Sequence, residues 1–262
     1  KRLNSKRLAY FGLWLIICCG YMTGSDWRSY ELMYNNDIIK SYEIGLHKLF
    51  QIFKTINLDF WWALILIKTL VFITLFRFIK EYKIIPGLFL MLFLSETGFY
   101  LFIDNPLRNF IAFGISLYGI KYLLSSQWSK YILISLIACC FHLSALILFP
   151  LYFLARIRFN TILVVTLFLI LIYLSFNTTF IKHFLNIISG LSNNFNERLF
   201  FYISEDIFKS KSINIGVFHR AFFLVIFLYF KNEFYKTSKT KIIINCAFIS
   251  LLIFPMGSSF FI

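Results

Sequence analysis

Long apolar runs recur along this chain, and several of them are about as long as a membrane-spanning helix. A helix needs about 20 apolar residues to cross the ~30 Å hydrocarbon core of a bilayer. Hydrophobic residues make up 60% of the 262 residues and charged residues only 15%. In a soluble domain, about 45–50% of the residues are hydrophobic and about 25% are charged. The pattern predicts an all-α polytopic integral membrane protein. We delimit its apolar segments at residues 8–22, 60–79, 84–103, 107–124, 130–155, 159–176, 213–230 and 242–262.

The positions of the cysteines and the absence of known nucleotide and metal motifs limit the reactions expected of this chain. All five cysteines lie inside apolar runs, and no Cys-x-x-Cys or Cys/His spacing suits a metal. The chain contains no P-loop, GxGxxG, HExxH, GxSxG or DxD motif. We therefore expect neither a metal site nor a cofactor, and nucleotide-driven chemistry is disfavoured.

Basic residues concentrate in a few short stretches outside the apolar segments. These stretches hold more than half of the 26 lysines and arginines, but only two of the 12 acidic residues. They are residues 1–7, 77–83, 121–130, 156–158 and 231–241. Because cytoplasmic loops carry an excess of Lys and Arg, we predict that all of them, including the N-terminus, are cytoplasmic. This asymmetry accounts for the net charge of +14 and excludes nucleic acid as a partner.

The predicted orientation of the later segments depends on how residues 130–155 cross the membrane. A single crossing there would place Arg156 and Arg158 outside and would invert every later segment. A re-entrant hairpin of two half-helices would return the chain to the cytoplasmic side, with its tip near residues 141–144. The basic residues favour the hairpin, and the single crossing is the alternative. With the hairpin, the chain has about seven transmembrane helices in a single transmembrane domain over residues 1–262.

Two external segments, residues 23–59 and 177–212, are long for the loops of a small membrane protein and are candidates for function. In the first, apolar residues recur at helical spacing on the side opposite Lys48 and Lys54. These residues are Ile44, Leu46, Leu49, Phe50, Ile52, Phe53 and Ile56. They predict an amphipathic helix lying in the membrane interface. In the second segment, residues 180–188 and 197–208 are candidates for the same role.

Polar residues cluster just after the first apolar segment, at residues 24–31. Asp26, Arg28 and Tyr30 are candidates for a site there, although an interfacial cap would use the same residue types. Glu43 precedes the amphipathic helix. A carboxylate at that position either serves a site or stabilises the positive helix end by about 0.3–1 kcal/mol.

Arg108 and His142 are further candidates. Arg108 begins an apolar segment, where a cation opposes the helix dipole, so either a bound anion or the lipid headgroups hold it there. His142 lies at the predicted hairpin tip, either as a packed core histidine or as part of a site. The remaining external candidates are Arg198, Tyr202 and Arg220.

Lys68 and Glu96 lie inside apolar segments, where charges are costly and are either paired or functional. They predict a structural ion pair or a second site. Apart from these two residues and His142, the apolar segments are nearly free of ionisable groups. That scarcity disfavours a transporter or flippase, which needs a continuous polar path.

The external candidates combine arginines with carboxylates and a histidine. Arginine binds phosphate through two parallel hydrogen bonds, and a carboxylate or an imidazole can act as a general base. The membrane itself can hold a lipid tail. This combination suits chemistry on a lipid-linked diphosphate.

Short motifs follow one another along the first 205 residues. They are Gly24-Ser25-Asp26 with Tyr30, Tyr42-Glu43-Ile44-Gly45, Leu107-Arg108-Asn109-Phe110-Ile111-Ala112 and Phe141-His142-Leu143-Ser144-Ala145, with a weaker Glu197-Arg198 before Tyr202. Their order resembles the EpsG/Wzy family of bacterial polysaccharide polymerases. One departure is Gly20-Tyr21-Met22, where many members have an arginine. The family also tends to continue past Ile262, and because the chain begins at Lys1 we expect both ends to be incomplete.

The resemblance implies a GT-C-like, metal-independent glycosyltransferase of the bacterial inner membrane, with its site facing the periplasm. Its substrates would be undecaprenyl-diphosphate-linked oligosaccharide and polysaccharide, and a chain-length regulator protein is a candidate partner. Asp26 or Glu43 would be the base, with His142 as the alternative. The diphosphate would be bound by Arg108 and Arg198, assisted by Arg28 or Arg220, with Tyr30 and Tyr202 nearby. The alternatives are an O-antigen ligase, which uses the same donor, and a transporter or flippase.

Overall fold

The computed structural model describes residues 2–22, 24, 26–36, 44–93, 107–176 and 215–257. Throughout these residues the regular secondary structure is helical, which agrees with the predicted all-α class. The α-helices are α1 Arg2–Cys18, α2 Trp27–Asn35, α3 Ile44–Thr55, α4 Phe60–Glu81, α5 Pro86–Phe93, α6 Leu107–Leu124, α7 Trp128–Phe141, α8 Leu148–Leu154, α9 Thr161–Phe176, α10 Ile215–Tyr229, α11 Lys231–Phe234 and α12 Ser238–Gly257.

Helix α4 is the one helix in the described part of the chain that is both long and apolar enough to cross a membrane. Its 22 residues extend about 33 Å at 1.5 Å per residue. The apolar stretches Trp128–Phe141, Thr161–Tyr173 and Phe218–Tyr229 are shorter than a full span. The number of about seven transmembrane helices therefore stays a prediction.

Several predicted segments coincide with helices. Helix α6 occupies the predicted residues 107–124, and α4 begins at the predicted residue 60. Helix α1 differs, because it begins at Arg2 rather than residue 8 and ends at Cys18 rather than residue 22. The basic residues before the apolar run are therefore part of the first helix, since lysine and arginine are good helix formers.

The chain forms two compact units, Lys1–Tyr152 and Phe153–Ile262. The single transmembrane domain over residues 1–262 stays a prediction. The first unit is built around α4, whose buried face packs against α1, α2 and α6. The second unit consists mainly of α9, α10 and α12.

Specific polar contacts stabilise the start and the middle of α4. Asp59 accepts a hydrogen bond from the backbone N–H of Trp61 at 2.9 Å and so caps the start of the helix. Trp14 on α1 donates from its indole to the Thr69 hydroxyl at 2.9 Å. Lys68 is completely buried beside Cys18 of α1. Its predicted partner, Glu96, lies outside the described residues.

The predicted amphipathic helix is present as α3. Leu46, Phe50 and Phe53 are buried, and Phe50 packs edge-on against the ring of Tyr34. Lys48 is exposed, as expected for the polar side. The buried residues are spaced three to four apart and face the protein, whereas Ile44, Ile52 and Ile56 of the predicted apolar side are exposed. Its position in the membrane interface stays a prediction, and residues 180–188 and 197–208 lie outside the described residues.

The chain reverses direction between α7 and α8, at the predicted position. The backbone of His142 is extended (φ −151°, ψ 124°), and a short 3₁₀ helix, Leu143–Ile147, follows. The rings of Tyr131 and Tyr152 lie 5.4 Å apart, and the Tyr152 hydroxyl donates to the carbonyl of Ser126 at 2.9 Å. One continuous helix would separate residues 131 and 152 by about 31 Å. The reversal is confirmed, whereas its insertion into a membrane stays a prediction.

In the second unit, hydrogen bonds from α12 hold the backbone of residues 155–157. Asn245 on α12 is completely buried and donates to the carbonyls of Ala155 and Ile157 at 2.8 and 2.6 Å. Lys241 donates to the carbonyl of Arg156 at 3.0 Å. Residues 156–158 therefore lie beside Lys241, the last residue of the stretch 231–241, and the cytoplasmic location of both stretches stays a prediction.

Replacement of Gly114 by alanine is expected to destabilise the first unit. A Cβ at Gly114 would lie 2.8 Å from a methyl group of Val71, so α4 and α6 could no longer approach as closely. Overpacking of this kind costs about 1–3 kcal/mol. The purified variant should melt several degrees below the wild type, as followed by tryptophan fluorescence.

Gly12→Ala is the matched control for this change. A Cβ at Gly12 meets nothing within 4 Å, and alanine favours the helix over glycine. Its melting temperature should not fall. Equal losses in the two variants would contradict the close packing between α4 and α6.

Candidate functional site

The candidate site lies where two antiparallel helices bring their polar ends together. Helices α6 and α7 pack along each other and are joined by a short turn at residues 125–127. Arg108 is the second residue of α6, and His142 directly follows the last residue of α7. The antiparallel arrangement places both at the same end of the pair, and the Arg108 charge acts on His142.

Tyr30 on α2 holds the Arg108 side chain. The Arg108 Nε donates to the Tyr30 hydroxyl at 3.0 Å, and its guanidinium carbon lies 5.8 Å from the centre of the tyrosine ring. Tyr30 is only 3% exposed. A cation in the first turn of a helix opposes the helix dipole, so this contact helps to keep Arg108 in place.

The surroundings of Tyr30 keep its phenol protonated at neutral pH. Burial raises the pKa of Tyr30 above its ordinary value, and the nearby Asp26 carboxylate raises it further. The Arg108 charge and its hydrogen bond act in the opposite direction but do not overcome burial. The hydroxyl can therefore accept from Arg108 while retaining a proton of its own to donate.

His142 presents a buried nitrogen at this site. Its backbone N–H donates to the carbonyl of Ala138 at 3.0 Å and ends helix α7. Among the described residues, no hydrogen-bond partner is found for its buried Nδ1 atom. Buried polar atoms are nearly always paired, so this nitrogen is available to a ligand or a transferred proton.

Helix α3 begins against the end of α7. A Cβ at Gly45 would lie 2.8 Å from the carbonyl oxygen of Cys140 and 3.1 Å from the Phe141 ring. Only glycine allows this approach, which brings the start of α3 directly to the residues that precede His142. The Tyr42–Gly45 motif thus ends at the same place as the motif that contains His142.

The EpsG family model matches residues 5–262, which is nearly the whole chain. The chain belongs to the EpsG family. Comparison with curated proteins and with solved structures gave no match. Membership in EpsG supports a membrane protein of polysaccharide biosynthesis with a polymerase-type role, and it confirms the family predicted from the motifs.

Within this EpsG chain, the structure brings several predicted site residues together. Tyr30 on α2, Arg108 on α6 and His142 at the end of α7 lie at one end of the first unit, where Arg108 donates to Tyr30 and its charge acts on His142. Asp26 lies one turn before Tyr30, at the start of α2, where its side chain makes no capping hydrogen bond. The structure therefore shows the surroundings of these four predicted site residues.

Other predicted residues lie elsewhere or outside the description. Arg28 is exposed, and its guanidinium lies 5.3 Å from the Trp27 ring, which packs near Trp61. Arg220 belongs to the second unit, next to His219, whose ring packs on Phe223. Three predicted residues lie outside the described part of the chain, namely Glu43, Arg198 and Tyr202.

Gly45 contributes to the site in a way that was not predicted from the sequence. A glycine in the first turn of an otherwise amphipathic helix was the available signal, because glycine lowers helix stability unless packing requires it. For metal binding, the described residues contain no group of three or more His, Cys, Asp or Glu side chains that could hold an ion. Metal independence itself stays a prediction.

Replacement of Gly45 by alanine is expected to reduce the activity of this EpsG protein. The added methyl group would push the start of α3 away from Cys140 and disturb the neighbouring His142. The measurement is the amount of polysaccharide made by a gene-deleted host that carries the variant at wild-type abundance.

Gly87→Ala provides the control, because a Cβ at Gly87 meets nothing within 4 Å. Polysaccharide production should be unchanged in this variant. Full production with Gly45→Ala would show that the close approach of α3 and α7 does not matter for function.

Proposed function

We propose that this EpsG protein is a polysaccharide polymerase. It transfers a growing glycan from undecaprenyl diphosphate to the non-reducing end of a lipid-linked repeat unit, at the outer face of the bacterial inner membrane. The observation that carries this proposal is the placement of Arg108, Tyr30 and His142 at one end of the first unit.

The position of these residues along the helices supports a site at the outer face of the membrane. Helix α6 has 18 residues and is therefore about 27 Å long. Arg108 is at one end of it, and the basic stretch 121–130 begins near the other. Since basic connections mark the cytoplasmic side, the Arg108 end belongs to the opposite side.

The arginine has a direct role in the proposed transfer. The bond between the anomeric carbon and the diphosphate oxygen breaks, and the bond electrons leave with the diphosphate. The Arg108 guanidinium, oriented through its bond to Tyr30, stabilises the negative charge that develops on this leaving group. Arginine suits this task because its planar group binds phosphate oxygens through two hydrogen bonds.

The acceptor hydroxyl supplies the new bond and loses its proton to a base. Asp26, Glu43 and His142 are the candidate bases. His142 is supported by its buried Nδ1 atom, which has no partner among the described residues, and by its place at the same end of the helix pair as Arg108. Asp26 is supported by its proximity to Tyr30. No step in this scheme requires a metal ion.

Arg108→Ala is expected to abolish polymerisation. Loss of one preorganised group that stabilises developing charge lowers turnover by about a hundredfold or more. A host that lacks the gene and carries this variant should make glycan with a single repeat unit instead of a ladder on a gel. Arg158→Ala removes the same side chain from an exposed position in the basic stretch and should leave the ladder intact.

The same gel separates this proposal from other functions. An intact ladder with Arg108→Ala, at normal protein abundance, would contradict the role of Arg108. Loss of all glycan from its final acceptor in the gene-deleted host, while lipid-linked polymer accumulates, would indicate a ligase instead. An unchanged ladder in the gene-deleted host would exclude both transferase activities.

Tyr30→Phe tests whether tyrosine positions the arginine. The variant keeps the ring but removes the hydroxyl that accepts from Arg108 Nε, so the guanidinium keeps its charge and loses an orienting contact. With purified enzyme and lipid-linked repeat units, we expect kcat to fall more than KM for the donor rises, because the arginine acts on charge that develops in the transition state. A variant with wild-type kinetics would show that the hydrogen bond is dispensable.

A further inference from the structure

A groove lies at the other end of the first unit, between α1, the last turns of α4 and the start of α5. Its volume is about 520 Å³. Most of the lining of this groove is apolar, and basic side chains line one part of it. The apolar lining comprises Tyr10, Phe72, Ile73, Phe76, Ile79, Ile84 and Pro86.

Three cations line the same groove. Arg77, Lys80 and Lys83 follow one another at intervals of three residues, which brings them to one side of the end of α4. All three are exposed, and none forms an ion pair with a carboxylate in the part of the chain that the structure describes. Arg77 also donates to the Tyr118 hydroxyl at 3.2 Å, which limits its orientation.

The backbone presents Lys83 at a position where lysine is unfavourable. Lys83 has a φ of 52°, in the left-handed region that favours glycine. It occupies the position after the helix cap at which a Schellman motif usually has glycine. Ile84 N–H donates to the Ile79 carbonyl at 3.0 Å, and Lys83 N–H donates to the Lys80 carbonyl at 3.3 Å. The charge of a lysine at this position is nevertheless favoured by the negative end of the α4 dipole, and the turn places it after Lys80 at the end of the helix.

We propose that this groove binds an anionic glycerophospholipid of the cytoplasmic leaflet. One acyl chain lies along Phe72, Ile73 and Phe76, and the phosphate meets the three cations. An apolar lining that ends in a cluster of positive charge is complementary to a molecule with a hydrocarbon chain and one negative headgroup. Anionic leaflets attract such clusters, and the stretch 77–83 is one of the basic connections that mark the cytoplasmic side.

This site is independent of the proposed polymerase site. Tyr118, the partner of Arg77, lies ten residues after Arg108 on α6, which is about 15 Å along the helix, so the two sites are well separated in the first unit. Bound lipid would join α1 to the end of α4 and tie both to the anionic membrane surface.

Lipid retention tests the charged half of the site. The full chain is purified from nanodiscs of phosphatidylethanolamine and phosphatidylglycerol, and bound phosphatidylglycerol is counted by native mass spectrometry. Removing two cations with Lys80→Gln and Lys83→Gly should lower the retained phosphatidylglycerol at least about fivefold. Glycine suits the left-handed position, so loss of folding does not explain a reduced signal.

A matched variant removes the same charge from another basic stretch. Lys236→Gln with Lys239→Gln changes two exposed lysines of the second unit and should retain phosphatidylglycerol like the wild type. Equal retention by the two double variants would overturn the proposal.

A third variant tests the apolar half. Ile73→Trp fills the groove and leaves all three cations in place, so it should also lower phosphatidylglycerol retention severalfold. Unchanged retention in this variant would overturn the acyl-chain part of the proposal. Displacement of the lipid by inorganic phosphate alone would do so as well, because it would indicate a simple anion site.

Discussion

The antiparallel packing of α6 against α7 is the constraint on which the rest of the first unit depends. Because the two helices are joined by a short turn, the first residues of one must lie beside the last residues of the other. That geometry brings a cation that its own helix disfavours, Arg108 at the start of α6, to the same end of the pair as the imidazole at the end of α7. The contacts from α2 and α3 then complete the arrangement, through a hydrogen bond in one case and a glycine contact in the other.

Close helix approach is a recurring solution in this unit. Gly114 lets α6 approach α4, and Gly45 lets the start of α3 meet the end of α7. In a membrane the hydrophobic effect gives little help in joining apolar helices, so close packing and hydrogen bonds between helices carry more of the stability. Completely buried polar side chains such as Lys68 and Asn245 belong to the same pattern.

Much of this fold could be predicted from the sequence because apolar length and basic loops report directly on helices in a membrane. The bounds of α6, the start of α4 and the chain reversal near His142 were predicted on this basis. Arg108 was identified because a cation at the start of a helix opposes the helix dipole. His142 was identified because it lies in an apolar run, at the predicted hairpin tip. The number of membrane crossings stays a prediction, since most of the described helices are shorter than a span.

The contacts that build the site could not be predicted in the same way. Tyr30 and Arg108 are 78 residues apart, and the sequence gives no signal for their hydrogen bond. The role of Gly45 depends on how two helices cross, which is a property of packing rather than of pattern. Residue types therefore indicated which side chains to consider, and tertiary structure determined which of them meet.

The bonds of Asn245 have a consequence for the order in which the second unit can assemble. Its amide meets two carbonyls that precede it by 88 and 90 residues. While the chain is being synthesised, those carbonyls emerge well before their partner does, and they need another partner in the meantime. Arg156 and its neighbours thus reach their final hydrogen bonding only when the last described helix arrives. For this half of the protein, folding cannot be completed before α12 has been synthesised.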